Sequence, residues 1–157
     1  IFHLSSTMGY TYGFYDEPGL PQLEMVLWKF PALYFLGHST VFWSEIAELE
    51  TSWDRALYPT SPVKKEGVLP KLFRRYKNLL GDLSAGSGYY ALARDPHYAV
   101  QFLTEFQDRL FFGTDICRYD TSTPLVDFLL DLRDKGKITE DVFKKIAREN
   151  AVKLLGL

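Results

Sequence analysis

The sequence predicts an α/β fold in which parallel strands alternate with helices, and three observations carry that expectation. Apolar runs of strand length recur at residues 1–4, 33–36, 79–83 and 110–113. A segment with apolar residues at helical spacing follows each run. Between run and helix stand polar residues of the kinds that do chemistry: His3, His38, Asp82 with Ser84, and Asp115. Strands linked through helices pair in parallel by right-handed crossovers, so helices should cover the sheet.

The first run, Ile1 to Leu4, leads into a long aromatic loop with glycines, Met8 to Tyr15, that reads as a lid or a subunit contact. Pro21 then opens a helix with Leu23, Val26, Leu27 and Phe30 on one face, and Pro31 closes it. The run before Gly37-His38-Ser39 reads as a strand buried on both faces, with a helix from about Phe42 to Glu50 behind it. A polar stretch from Thr51 to Gly67 precedes an amphipathic helix carrying Leu69, Leu72, Phe73 and Tyr76, with Pro70 in its first turn. The third strand ends in Asp82 and is followed by a helix facing Val100, Leu103 and Phe106 inward. The fourth ends in Thr114-Asp115. A helix with Leu125, Phe128, Leu129 and Leu132 follows it, and then one N-capped by Thr139 and stopped by Gly156. Two closures satisfy this order: a four-stranded open sheet, or half of an eight-stranded barrel. A strand at the first residues leaves an apolar edge without cover, which favours the half barrel.

The chain has 157 residues, 46% hydrophobic and 24% charged, and reads as one globular domain spanning 1–157. Eighteen Lys and Arg against twenty Asp and Glu give a net charge of -2, so no basic field is present to hold nucleic acid or an anionic membrane. The basic residues from Lys64 to Lys77 lie beside an apolar helix face and read as a solvated surface. No apolar stretch approaches the roughly 18 to 20 residues that span a bilayer, so a soluble, cytoplasmic setting is expected. Cys117 is alone and forms no internal disulfide. Twelve Phe, ten Tyr and three Trp exceed what a core of this size absorbs, so some should line a cavity or interface.

In parallel α/β folds chemistry gathers at the carboxyl ends of strands. Two imidazoles and a carboxylate converging there are donors that zinc, manganese or iron accept. Each residue also has an ordinary explanation: His3 as a hydrogen-bonded core histidine, His38 as a turn residue, Asp115 as a helix cap. His97, after Asp95-Pro96, reads as surface. Gly86-Ser87-Gly88-Tyr89-Tyr90-Ala91 matches a loose dinucleotide pattern, but a turn needing glycine explains it more simply.

Taken in order, His3, the run from Tyr12 to Glu24, Phe35-Leu36-Gly37-His38-Ser39, Asp82-Leu83-Ser84, Phe112-Gly113-Thr114-Asp115 and Glu149-Asn150-Ala151 resemble the amidohydrolase-related family. More narrowly, they resemble its amidohydrolase 2 branch of metal-dependent hydrolases and non-oxidative decarboxylases. The resemblance implies parallel β/α units forming the second half, about four strands, of a TIM (β/α)8 barrel whose N-terminal half, with the first-strand His-x-His pair, is absent. It implies that His3 and Asp115 are metal ligands and that Asp115 and His38 are catalytic, His38 as acid/base or substrate contact rather than as a ligand. The metal would be divalent, zinc first and manganese second, in a site left incomplete in this chain. Ser84, Tyr12, Trp43 and Arg118 are the candidate substrate contacts. The expected partners are a small-molecule, carboxylate-bearing substrate and either a second copy of the chain or the missing half of the barrel. The alternatives are a decarboxylase of the same family and a non-catalytic half-barrel interaction module.

Overall fold

One parallel sheet organises the chain, with strand order β2-β1-β3-β4-β5. The computed structural model describes residues 1–6 and 12–157. The strands are β1 (Phe2–Ser5), β2 (Phe14–Tyr15), β3 (Phe35–His38), β4 (Leu79–Asp82) and β5 (Leu110–Phe111). The helices are α1 (Pro21–Lys29), α2 (Thr40–Ser44), α3 (Val68–Arg75), α4 (Ala85–Ala93), α5 (Pro96–Glu105), α6 (Pro124–Asp134), α7 (Glu140–Lys144) and α8 (Asn150–Leu155). A short helical turn covers Ser52–Arg55, and a wider π-type segment, Lys145–Glu149, joins α7 to α8. Among the described residues no helix is long and apolar enough to cross a membrane.

The four expected strands pair in parallel in chain order, but a fifth extends the sheet. β2 aligns Phe14 with Leu4 and Tyr15 with Ser5, so the outer edge of β1 is shielded rather than bare. At the other edge Phe112 N donates to the Ile146 carbonyl at 2.9 Å, which occupies part of the rim beside β5. Of the aromatic loop, residues 7–11 lie outside the described residues, and its end forms β2. Two helices are also revised. The one expected to reach Glu50 stops at Ser44, and the one carrying Val100, Leu103 and Phe106 is the second of a pair broken at Asp95-Pro96. There the Asp95 carboxylate accepts from Tyr98 N and starts α5 afresh.

Glycines decide how the sheet meets its helices. A side chain at Gly37 would collide with the Phe42 ring, and one at Gly81 would meet Trp43, Leu110 and Phe73. Phe42, Trp43 and Phe73 therefore seat directly on the strand backbones and join Phe102 and Phe106 in an edge-to-face aromatic core. Because successive strand residues point to opposite faces, His38 and Asp82, each one residue beyond these glycines, project from the other side. Gly86 and Gly88 lie within α4, and a side chain on Gly88 would strike the Leu83 carbonyl. Gly88 thus lets the helix pack against the end of the strand, while Gly86 faces the Tyr58 ring. The basic residues of α3 behave as a solvated face, with Arg74 bridging Glu66 and Glu105 and Arg75 pairing with Glu24.

Candidate functional site

Register places the candidates together. His3 is aligned with His38 across β1 and β3, and Asp82 with Phe111 across β4 and β5. The His3 and His38 rings are 5.5 Å apart, centre to centre. His38 Nδ1 lies 3.1 Å from Asp82 Oδ2 and 3.2 Å from Ser84 Oγ, and the Ser84 hydroxyl donates to Asp82 Oδ2 at 2.8 Å. Ser84 N donates to the other Asp82 oxygen at 2.9 Å. With a carboxylate accepting at Nδ1, that nitrogen carries the proton, and Nε2 is left facing the mouth. There it meets Asp115 Oδ2 at 3.8 Å, beyond hydrogen-bond reach. Gly113 makes room for this approach, since a side chain on it would press on Ser84 and Asp82.

Charge follows from this geometry. The hydrogen bond to Asp82 raises the His38 pKa above the ordinary imidazole value, outweighing the opposing effect of burial. For Asp82, burial pushes upward, but hydrogen bonds from His38 and Ser84 prevail and hold its carboxyl below the usual range. His3 is lowered, first by burial and then by the nearby His38. Its Nδ1 is buried and has no hydrogen-bond partner among the described residues. The backbone at this rim is strained as well. Ser39 (φ 124°), Ala85 (φ 60°) and Asp115 (φ 51°) are non-glycine residues with positive φ in the three successive turns after β3, β4 and β5. Such strain concentrates where a site demands unusual geometry.

The structure brings His3, His38, Ser84 and Asp115 to one end of the sheet, as the sequence suggested. Asp115 does not cap a helix: Thr123 precedes α6. Tyr12 stands at the rim, 83% exposed, with its ring 5.1 Å from that of His3. Trp43 is a correction. It lies on the helix side of the sheet, 1% exposed, and its Nε1 donates to the Asp82 carbonyl at 2.7 Å, so it supports the site from behind and touches no substrate space. Arg118 is engaged by Asp120 on its own loop and makes no ion pair with the cluster among the described residues. Asp82 was visible in sequence as a strand-end residue without a role; the structure makes it the partner that orients His38. Its parity with His38, each directly after a strand glycine, was the available signal.

The amidohydrolase family model matches residues 66–157, more than half of the chain, from the start of α3 to the end and including Asp82, Ser84 and Asp115. The chain belongs to the amidohydrolase family. Its five parallel strands with intervening helices are accordingly a partial (β/α)8 barrel, and the family carries a hydrolase- or decarboxylase-like role. Comparison with curated proteins and with solved structures returned no match.

Amidohydrolases generally use divalent metals, and the donor types at this mouth fit such an ion in kind: the His3 imidazole beside that of His38, a His38 Nε2 turned outward, and the Asp115 carboxylate. In number they fall short. Among the described residues no three His, Cys, Asp or Glu side chains come together as a metal-holding group.

Proposed function

We propose that this amidohydrolase chain carries the second half of a metal-dependent hydrolase site, acting on a small-molecule substrate in the cytoplasm. His3 and Asp115 are ligands to a divalent metal, zinc first and manganese second, and the remaining donors come from outside the described residues. His38 is the proton-transfer residue. A bound ion would supply Lewis acidity there, for activating water and polarising the substrate. In this reading Asp115 accepts a proton at Oδ2, and His38 holds or delivers one at Nε2. Asp82 and Ser84 fix the His38 ring by holding Nδ1–H. The observation that carries this reading is the Asp82–Ser84–His38 array, which aims Nε2 at Asp115 Oδ2. The raised His38 pKa also favours a second reading, decarboxylation, in which a protonated His38 supplies the proton that replaces the departing carboxylate.

Zinc titrated into the chain, followed on the imidazole NMR signals, tests the ligand assignment. The His3 signals should shift, Asp115→Asn should weaken that response at least tenfold, and His38→Asn should leave it in place. A His3 signal indifferent to zinc overturns the assignment and favours the non-catalytic half-barrel module. Loss of the response in His38→Asn moves His38 into the ligand set.

A further inference from the structure

The carbonyl of Asp82 lies where the sheet begins to come apart. Gly81 N and Leu83 N both donate across to β5, to the Arg109 and Phe111 carbonyls at 2.9 Å. Successive strand residues turn their N–H and C=O groups to alternate neighbours, so the Asp82 carbonyl points the other way, toward β3. There β3 is already leaving. Its ladder with β4 ends at Gly37 opposite Gly81, and Ser39, at φ 124°, turns the chain into α2. A buried carbonyl without a donor is costly. The donor comes from α2 itself: Trp43 Nε1 gives its proton to the Asp82 carbonyl at 2.7 Å. The indole is held in that position by the sheet, since it seats on Gly81, where a side-chain carbon would come within 2.9 Å of the ring.

We propose that Trp43 is a positioning residue for the proton chemistry of His38: its indole N–H replaces the strand donor that β3 withdraws and fixes the Asp82 peptide, so that the Asp82 carboxylate meets His38 Nδ1. The proposal rests on the proposed function in giving His38 the proton, and it adds to that machinery a residue from the opposite face of the sheet. The Asp82 carboxylate is aimed from its own backbone, with Oδ1 accepting from Ser84 N at 2.9 Å and Oδ2 lying 3.1 Å from His38 Nδ1. Hydrogen bonds weaken steeply with misalignment, so a strand end free to shift loosens the contact at Nδ1 first. With Nδ1–H less firmly held, the ring no longer keeps the single tautomer that leaves Nε2 open toward Asp115. Trp43 touches none of the reacting atoms. Its effect passes through Asp82.

Trp43→β-(3-benzothienyl)alanine, which keeps the fused ring and puts sulfur in place of the N–H, tests this in the metal-free chain. The readout is the His38 Nδ1–H NMR signal at one fixed pH. In the unchanged chain the Asp82 carboxylate should hold it downfield and slow its exchange with solvent. In the variant it should move upfield and exchange about tenfold faster or more. Trp43→5-fluorotryptophan keeps the donor and should leave both properties as they were. Trp43→Phe, which also lacks the donor, should repeat the change and serves if the sulfur analogue does not fold. Asp82→Asn removes the link through which the indole acts, so the analogue placed in that background should add nothing to the change that Asp82→Asn makes alone. A purely structural Trp43 would lower the urea midpoint and leave the native His38 signal in place, and that result overturns the proposal. So does an effect of equal size in the Asp82→Asn background. The two tests fail separately: an unmoved His38 signal leaves the ligand assignment standing, and a His3 signal indifferent to zinc leaves the hold of Trp43 on His38 standing.

Discussion

Asp82 and His38 titrate against each other across β3 and β4, and their opposite shifts fix a pH window. The lowered Asp82 pKa means that its contribution to stability is complete above the ordinary carboxylate range and is lost as pH falls through the folded value. The raised His38 pKa means that its contribution is complete below the ordinary imidazole value and is lost as pH rises through the folded one. The pair therefore stabilises the fold most between those two ordinary ranges. Asp82→Asn should bring the His38 pKa down, because the largest cause of its elevation is removed while burial remains; an NMR titration of the ring checks this. Gly13 makes a second prediction. Its φ is +116°, and an added side-chain carbon would come within 2.4 Å of the His3 carbonyl oxygen and 2.7 Å of Nδ1. Gly13→Ala should cost about 1–3 kcal/mol in urea denaturation and move the His3 imidazole signals. At this scale the strand-end residues were readable in the sequence, because parity and position follow from the apolar runs. Trp43 was not, since closeness in sequence to His38 does not reveal which face of the sheet a helical residue meets.

Between residue and fold, the turn after β3 holds three elements together through one side chain. Ser39 Oγ accepts from Leu4 N in β1 and from Phe42 N in α2, each at 3.2 Å, while its own backbone sits at φ 124°. Ser39→Ala leaves both buried N–H groups without that acceptor and should lower stability by about 1–3 kcal/mol, read from urea midpoints. Ser39→Gly loses the same bonds but relieves the backbone, so it should fall between the alanine variant and the unchanged chain. The elements most readable from sequence, α1, α3 and α6, have apolar residues repeating over eight or more positions. β2 is two residues long and α2 five, too short to show a period, and both are held by tertiary pairing rather than by their own pattern. The break between α4 and α5 was written in Asp95-Pro96, a cap followed by the residue that best opens a helix, and it yields to capping rules more than to apolar spacing.

Across the whole molecule the sheet divides two tasks: its helix side is filled by aromatic rings seated on glycines, and its other side carries the polar row at the strand ends. The alternation of strands and helices made this class of fold legible. The shielding at the two sheet edges, by β2 and by the segment around Ile146, depended on contacts between distant parts of the chain that no local pattern records. The hydrogen bond from Trp43 to the Asp82 carbonyl gives the molecule an optical reporter as well. Of its three tryptophans, Trp28 and Trp53 are 72% and 76% exposed, so iodide should quench them and leave the blue-shifted emission of Trp43. Because that indole is bonded to the strand end that orients His38, the residual emission and the His38 NMR shift should be lost at the same urea concentration. Light emitted from the core thus measures, without any ligand, whether the polar row on the opposite face of the sheet is still assembled.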